Sequence, residues 1–371
     1  MAYGTINADV IGTSVANTSL GAGNASIMKN RIINGAMVID QRNAGASTTS
    51  ATNGGYTLDR WATQNNSGAS RFTVQRNAGS ITPPAGFSNY LGCTSTGSYT
   101  VGSGDAIGMI QRIEGYNIAD LGWGAAGAKT VTLSVWVYSS LTGTFGGSLF
   151  NGNGNYSYPF TYTISSANTW QQISVTITGA TSSSWSNDNS TGLNVLFALG
   201  TGSSLSGTAG SWSANGYYGA TGQTQWVATN GATFYITGVQ LEVGSSATGF
   251  EYRQYTTELQ LCQRYFWKST PASNQYFVVA QCQSSSSAFG GTIYFPVTMR
   301  ASPTTAVSSI SNFQPFNSAG ALTTAFTSGG FANAMPDKMS SDMGGSSGLT
   351  SGNASCIFVV SSGWASASAE L

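Results

Sequence analysis

Apolar residues recur at every second position along several stretches of this chain, the spacing of a strand with one buried face. The clearest case is KTVTLSVWVYSS, where Val131, Leu133, Val135 and Val137 share one face and Thr130, Thr132, Ser134, Trp136 and Tyr138 share the other. TWQQISVTITG repeats the alternation with Ile173, Val175 and Ile177, and GLNVLFALGTG repeats it with Leu193, Val195, Phe197 and Leu199. RFTVQRN sets Phe72 and Val74 against Arg71, Thr73 and Gln75. FYITGVQLEVGSSATGFEYR places Tyr235, Val239, Leu241 and Val243 on one parity. On that reading Glu242 points away from the core as a strand-end charge, Phe250 and Tyr252 pack, and Glu251 and Arg253 stay solvated. NRIINGAMVIDQRNAG opens the series, with Ile33, Met37 and Ile39 ahead of a turn at Asn43–Gly45. Gly, Asn and Ser gather between these runs as turn residues. Many short strands joined this way predict a jelly-roll β-sandwich over residues 31–253.

The period lengthens in TTELQLCQRYFWKS. Thr257-x-x-Gln260 has the form of a capping box, and Leu259, Cys262 and Phe266 fall on one helical stripe beside Leu261 and Tyr265. A linking helix within 254–269 is therefore expected. Beyond it, QYFVVAQCQ, GGTIYFPVTMRASPT, ASCIFVVSS and GWASASAEL read as strands of a second, smaller β-sandwich domain over 270–371. The stretch 308–352 reads as loop, with scattered Phe and Met in need of something to pack on. Residues 1–30 are rich in Thr, Asn, Ala and Gly without a long periodic pattern, which suits an extended arm ordered on a partner subunit. The chain as a whole is expected to be all-β, with one short helix.

Composition narrows the function. Charged residues make up 7% of the 371, where about 25% is ordinary. Ser, Thr, Asn, Gln and 48 glycines take their place while hydrophobic content stays at 40%. Lys and Arg number 13, Asp and Glu number 13, and no basic stripe exists. That argues against nucleic-acid binding, which rests on neutralising phosphates. It argues equally against polybasic membrane attachment. No apolar run approaches the roughly 18 residues of a membrane span, so no membrane insertion is expected. The N-terminus lacks a basic start followed by a hydrophobic stretch, so synthesis in a cytoplasm without a signal peptide is expected. Four cysteines, Cys93, Cys262, Cys282 and Cys356, are widely spaced with no CxxC pair. They are expected to be free and mostly buried rather than disulfide-bonded or zinc-bound. Histidine is absent, which removes His-based metal sites and Ser-His-Asp or Cys-His catalysis. Neither metal nor cofactor is expected.

Two kinds of chemistry remain open. A glycosidase needs two carboxylates about 5–9.5 Å apart, and Asp105, Glu114, Asp120, Glu242 and Glu251 are the candidates. None forms a pair at a diagnostic spacing, and with Arg112 nearby they read more simply as ion pairs or capped turns. No catalytic residue is assigned. A binding surface is better supported. Trp136 and Tyr138 project from the non-core face of the central strand. NGNGNYSYPF (151–160) supplies Tyr156 and Tyr158, and SWSANGYYGATGQTQW (211–226) supplies Trp212, Tyr217, Tyr218 and Trp226. Aromatic rings stack on the apolar faces of sugars while neutral amides satisfy hydroxyls. The same rings could instead fill a second core or a seam between subunits. GNGN and GTGSS lack the lysine and following helix of a phosphate loop.

In combination, several segments resemble bacteriophage tail-fibre and related virion structural proteins. They are KNRIINGAMVIDQRNAG, YTLDRWA, VTLSVWVYSS, TWQQISVTITG and FYITGVQLEVGSSATGFEYR, in that order, with TTELQLCQRYFWKS, FPVTMRASPT and the terminal SASAEL resembling the C-terminal part of such proteins. The resemblance covers most of residues 29–303 and the last few. It implies a galactose-binding-like jelly roll similar to that of carbohydrate-binding modules. It also implies a homotrimer on the virion, held to other virion proteins through the N-terminal arm, with the distal β domains outward and a host-surface glycan as a ligand. It does not fix the glycan. The rival readings are a head-decoration fibre or baseplate component with a purely structural role, and a polysaccharide-degrading tailspike. The long repetitive β-helix and clustered carboxylates of a tailspike do not appear in the sequence.

Overall fold

The computed structural model describes residues 28–49, 53–269, 273–316 and 320–371. Most of the predicted N-terminal arm, residues 1–27, lies outside them. The chain divides into two compact units, one ending at Gln254 and one beginning at Tyr255.

The first unit carries, in chain order, β1 (Thr48–Thr49), β2 (Tyr56–Leu58), β3 (Trp61–Asn65), β4 (Phe72–Arg76), β5 (Leu91–Ser95), β6 (Ala106–Glu114) and β7 (Val131–Ser139). There follow β8 (Gly143–Asn151), β9 (Ser157–Ile164), β10 (Gln171–Ile177), β11 (Thr191–Thr201), β12 (Ser206–Gly207), β13 (Gly219–Ala220) and β14 (Thr233–Val243). One six-stranded sheet runs β1-β4-β5-β14-β7-β10 and the other β2-β3-β6-β11-β8-β9. Neighbours within both are antiparallel. The two inner faces close on one core, the layering of a jelly-roll sandwich. Val131, Leu133, Val135 and Val137 enter that core from β7, and Leu193, Val195, Phe197 and Leu199 enter it from β11. Phe72, Val74 and Ile177 join them, with Ile173 and Val175 packed at the margin. Cys93 lies in the same core, where burial raises its thiol pKa. All four cysteines are free, and of them Cys356 alone is half-exposed.

The closing strand departs from simple alternation. Thr237 pairs with Trp136 while Gln240 pairs with Ser134, so β14 spends three residues where β7 spends two. This β-bulge flips the parity. Phe234 and Ile236 face the core before it, and Val239 and Leu241 after it. Tyr235, expected inside, instead packs outside against Tyr90 and Ala78, and Val243 is 42% exposed. Gly238 makes the bulge feasible. Its φ is +60°, and a Cβ there would stand 2.6 Å from the Phe87 ring and 3.1 Å from the Trp136 ring. Gly238→Ala is expected to cost about 2 kcal/mol through left-handed strain and crowding. A lower denaturation midpoint with an unchanged m-value would be its signature.

Residues 28–45 form no strand, although Ile32, Ile33, Met37 and Ile39 are buried as anchors. Asn34 and Met37 have positive φ, so the segment folds back on itself, held by polar side chains. The Asn34 side chain bonds the backbone of Ile39 and Asp59, and Trp61 Nε1 donates to Asn34 O at 3.1 Å. Asn30 Oδ1 accepts from Ile32 N and Leu241 N, and Asn30 Nδ2 donates to Val239 O. Glu251 accepts from the amides of Met28 and Asn30, while Arg253 donates to the carbonyls of Asn30 and Ile32. These bonds clamp the start of the module to its exit.

The clamp changes the reading of three charges. Glu242 does lie off the sandwich core, but it is 3% exposed, covered by the exit segment. It accepts from Thr248 N at 2.8 Å, Thr248 Oγ1 at 2.6 Å and Gln240 Nε2 at 2.9 Å, with Lys29 Nζ at 3.7 Å. The Arg253 and Glu251 side chains, expected to be solvated, are 6% and 13% exposed and 3.3 Å apart.

The second unit begins with α1 (Tyr255–Gln263), the single α-helix among the described residues. It starts two residues before Thr257, so Thr257 is not its cap. It also stops before Phe266, which opens β15 (Phe266–Ser269). β16 (Gln275–Cys282), β17 (Ala288–Tyr294), β18 (Thr304–Val307), β19 (Phe313–Pro315), β20 (Ser328–Met335), β21 (Lys338–Gly344), β22 (Ala354–Val359) and β23 (Ala365–Ser368) follow. They form a three-stranded sheet β15-β23-β18 and a six-stranded sheet β19-β22-β16-β17-β21-β20. The stretch read as loop thus holds three strands, β20 and β21 being a hairpin turned at Pro336–Asp337. Five of its seven Phe and Met residues are core: Phe313, Phe326, Phe331, Met339 and Met343 pack with Ile357 and Val359, while Phe316 is half-exposed and Met335 exposed.

Candidate functional site

The aromatic residues expected to meet a sugar do not form one surface. Trp226 is fully buried, edge-on to Phe72 at 6.3 Å within the sandwich core. It is out of reach of any ligand. Tyr158 lies on β9 rather than in a loop and is 5% exposed. Tyr156 stacks on Trp212 at 5.4 Å, and Trp123, Trp185 and Tyr158 meet the edges of the same indole. The indole N–H groups of Trp123, Trp185 and Trp212 donate to the carbonyls of Lys129, Ser182 and Thr178. These rings therefore spend much of their faces on one another and their indole N–H groups on backbone carbonyls, and the cluster reads as packing, with Tyr156, Trp185 and Trp212 half-exposed.

Trp136 and Tyr138 do lie on the outer face of their sheet. Tyr138 is stacked on Tyr235 at 5.2 Å and 8°, with Trp170 alongside. Trp136 sits beside Gly238, pairing across to Thr237 and Gln172. Tyr218 packs on Phe150 at 4.9 Å on the outer side of the other sheet, and Tyr217 closes on Gly207. The alternation sends Trp136 and Tyr138 outward, as they lie. What it cannot show is that neighbouring side chains then take up part of each ring, leaving Trp136, Tyr138, Tyr217 and Tyr218 half-exposed.

The carboxylates are engaged as well. Asp120 pairs with Arg31 at 2.7 Å and Lys129 at 3.8 Å. Glu114 is buried, and Glu242 and Glu251 belong to the clamp. Among the described residues no group of three or more His, Cys, Asp or Glu side chains is placed to hold a metal ion, and no helix is long and apolar enough to cross a membrane.

An open hollow is found instead at Tyr99, in the loop between β5 and β6. A depression of about 390 Å³ is lined by Tyr99, Thr100, Val101, Ser103, Thr201 and Gln225 among others. A second of about 140 Å³ is lined by Ser70, Arg71, Thr96, Gly97, Ser98 and Tyr99. Tyr99 belongs to both. The loop is braced by short local bonds: Asp105 Oδ2 accepts from Tyr99 OH at 2.6 Å and Gly102 N at 2.7 Å. The Arg71 guanidinium lies 3.5 Å from the Tyr99 ring centroid, a cation–π contact, and Arg71 Nε is itself held by Ser67 Oγ at 2.8 Å. The bond to Asp105 raises the Tyr99 pKa, against an opposing pull from Arg71, so the phenol stays protonated. Gln225 closes the far wall by exchanging bonds with the backbone of Thr201.

The larger depression offers the Tyr99 ring and neutral hydroxyls from Thr100, Ser103 and Ser203, while the Arg71 guanidinium and Ser98 line the smaller one. A volume of 390 Å³ is within the range of small-ligand sites, about 300–1,000 Å³. Sequence reasoning missed it because four separate loops build it. The signal was a lone tyrosine in a Ser/Thr/Gly run with an acid six residues later, at Asp105.

No protein-family model matches this sequence, and no curated protein matches it closely. Solved structures with distant likeness include the N-terminal cellulose-binding domain of a Cellulomonas fimi β-1,4-glucanase, at 11% identity and TM-score 0.26, covering 56% of this chain and 99% of that one. A family 11 carbohydrate-binding module of a Clostridium thermocellum cellulase shows 12% identity and TM-score 0.25, covering 56% and 100%. The enzymatically active domain of tailspike protein 4 from bacteriophage CBA120 shows 14% identity and TM-score 0.29 over 53% of this chain. This chain covers 21% of that tailspike chain's length. Likeness at these values carries no inference about ligand, reaction or assembly.

Proposed function

We propose that this chain is a structural subunit of a bacteriophage particle, a trimeric tail fibre or tail appendage, and that its jelly roll meets host-surface glycans at the Tyr99 hollow. The observation that carries the binding part is the pair of depressions that share Tyr99: Thr100, Ser103 and Ser203 line the larger, while Arg71 and Ser98 line the smaller. The particle part rests on the ordered run of sequence segments across 29–303, with the N-terminal arm as the attachment to other virion proteins. A charge-poor β surface suits both, since little hydration is lost on covering it.

The test is retention on arrayed bacterial surface polysaccharides by the full chain and by Tyr99→Ala. Covering an aromatic side chain is worth about 1.5–3 kcal/mol, so Tyr99→Ala is expected to weaken retention by about tenfold or more. Retention that survives Tyr99→Ala unchanged removes the hollow from the account. A second reading, a head-decoration or baseplate subunit without a receptor, draws on the packed state of Tyr156, Tyr158, Trp212 and Trp226. It is favoured if no glycan is retained, and locating the chain in a virion reconstruction separates the two positions.

A further inference from the structure

Exposed large apolar side chains gather on one face of the second unit. Tyr276, Val279 and Tyr294 are 67%, 68% and 68% exposed, and Phe289 is 38% exposed. All four stand on the outer face of the six-stranded sheet, opposite the face that sends Ile357, Val359, Met339 and Met343 into the core. The register sets them on that one face: Tyr276 lies across from Phe358, Val279 from Cys356, Phe289 from Gln281, and Tyr294 from Lys338. Phe316, Tyr276 and Phe358 close into a cluster of three rings, with centroids 5.3–5.4 Å apart. A bulge between Tyr276 and Val278 brings Phe277 and Val278 both against the core and so turns Val279 outward.

We propose that copies of this chain pack on one another through this face. Area and charge single out a second copy as the occupant. The four exposed side chains offer about 400–500 Å². With Gln281 and the half-exposed Phe316, Phe358 and Cys356, the face approaches the roughly 800 Å² per partner of a standard interface. The apolar part lies in the range of the largest patch on a typical monomer, about 300–600 Å², a size that is often functional. The strand bordering it, β21, puts one cation, Lys338, and one anion, Asp342, on the same side. The face is thus neutral and carries both signs, so like copies meet without net repulsion. The inference rests on the assembled-particle reading, which it deepens by naming the surface, and owes nothing to the Tyr99 hollow.

The test uses the full chain with Val279→Asp, and Tyr294→Asp as a second variant. Both positions are largely exposed, so folding should hold, and unfolding midpoints check it. The readouts are size by light scattering at micromolar concentration and the alkylation rate of Cys356, the half-exposed thiol on this face. The wild type is expected to be multimeric, with Cys356 reacting about tenfold or more slowly than in either variant, because a buried unpaired carboxylate opens the contact. Tyr116→Asp, at an exposed aromatic of the first unit, should leave both readouts unchanged. A wild-type Cys356 that reacts as a free thiol, or a rate unaltered by both variants, overturns the proposal whatever size the N-terminal arm maintains. Glycan retention measured on the same variants keeps failure of this contact distinct from failure of the hollow.

Discussion

Replacing Trp226 with alanine is expected to cost the first unit about 3–5 kcal/mol, the usual price of emptying a large aromatic site in a packed core. Trp226 is fully buried between the sheets with Phe72 at its edge, so the neighbouring side chains have little room to close the void. In a unit of this size that amounts to a fall of roughly 10 °C or more in the unfolding midpoint, measurable by circular dichroism. Trp226→Phe should lose much less. It keeps most of the ring, and the buried indole N–H has no hydrogen-bond acceptor in the described structure to give up. The pair of variants also separates packing from binding. A loss of glycan retention that tracks the folded fraction marks Trp226 as core, whereas a loss in the folded protein would contradict its placement.

Arg253→Ala is expected to cost about 2–3 kcal/mol, because it removes charge-assisted hydrogen bonds from two backbone carbonyls and an ion-pair partner from the half-buried Glu251. Arg253 lies 3.3 Å from Glu251 and donates to the carbonyls of Asn30 and Ile32. Glu251 in turn accepts the amides of Met28 and Asn30. Removing the guanidinium loosens both sides of the clamp. Hydrogen exchange is the discriminating measurement: protection should fall first at the amides of Met28, Asn30 and Arg31, the last of which donates to Leu241 O at 2.9 Å. Equal loss of protection across β7 and β11 would mean that the residue serves the whole sandwich.

Strands with one buried face were legible in the sequence. Val131 to Val137 and Leu193 to Leu199 announce themselves because nothing interrupts their period. β14 was half legible, since one added residue at Gly238 inverts every side chain beyond it, and an inversion of parity looks the same on paper as continuity. The β20–β21 hairpin was missed because its outward positions are mostly Gly, Ser, Asn and Asp, which dilute the alternation of Met339 and Met343 into what resembles a loop. The burial of Glu242 and Glu251 was invisible for another reason. Their partners are remote, Asn30 and Glu251 being 221 residues apart, and local periodicity holds no information about such pairs. The aromatic candidates show the same limit: sequence tells which way Trp136 and Tyr138 point, while the neighbouring side chains decide how much of each ring is free.

The clamp has a mechanical meaning. Because residues 28–32 are bonded directly to residues 239–253, the chain passes into and out of the sandwich side by side. Tension applied between Met28 and Arg253 is borne first by that short set of polar contacts, and the strands from β1 to β11 sit outside the line of force. The jelly roll is hung on the chain like a pendant on a closed clasp, and tension along the chain passes it by.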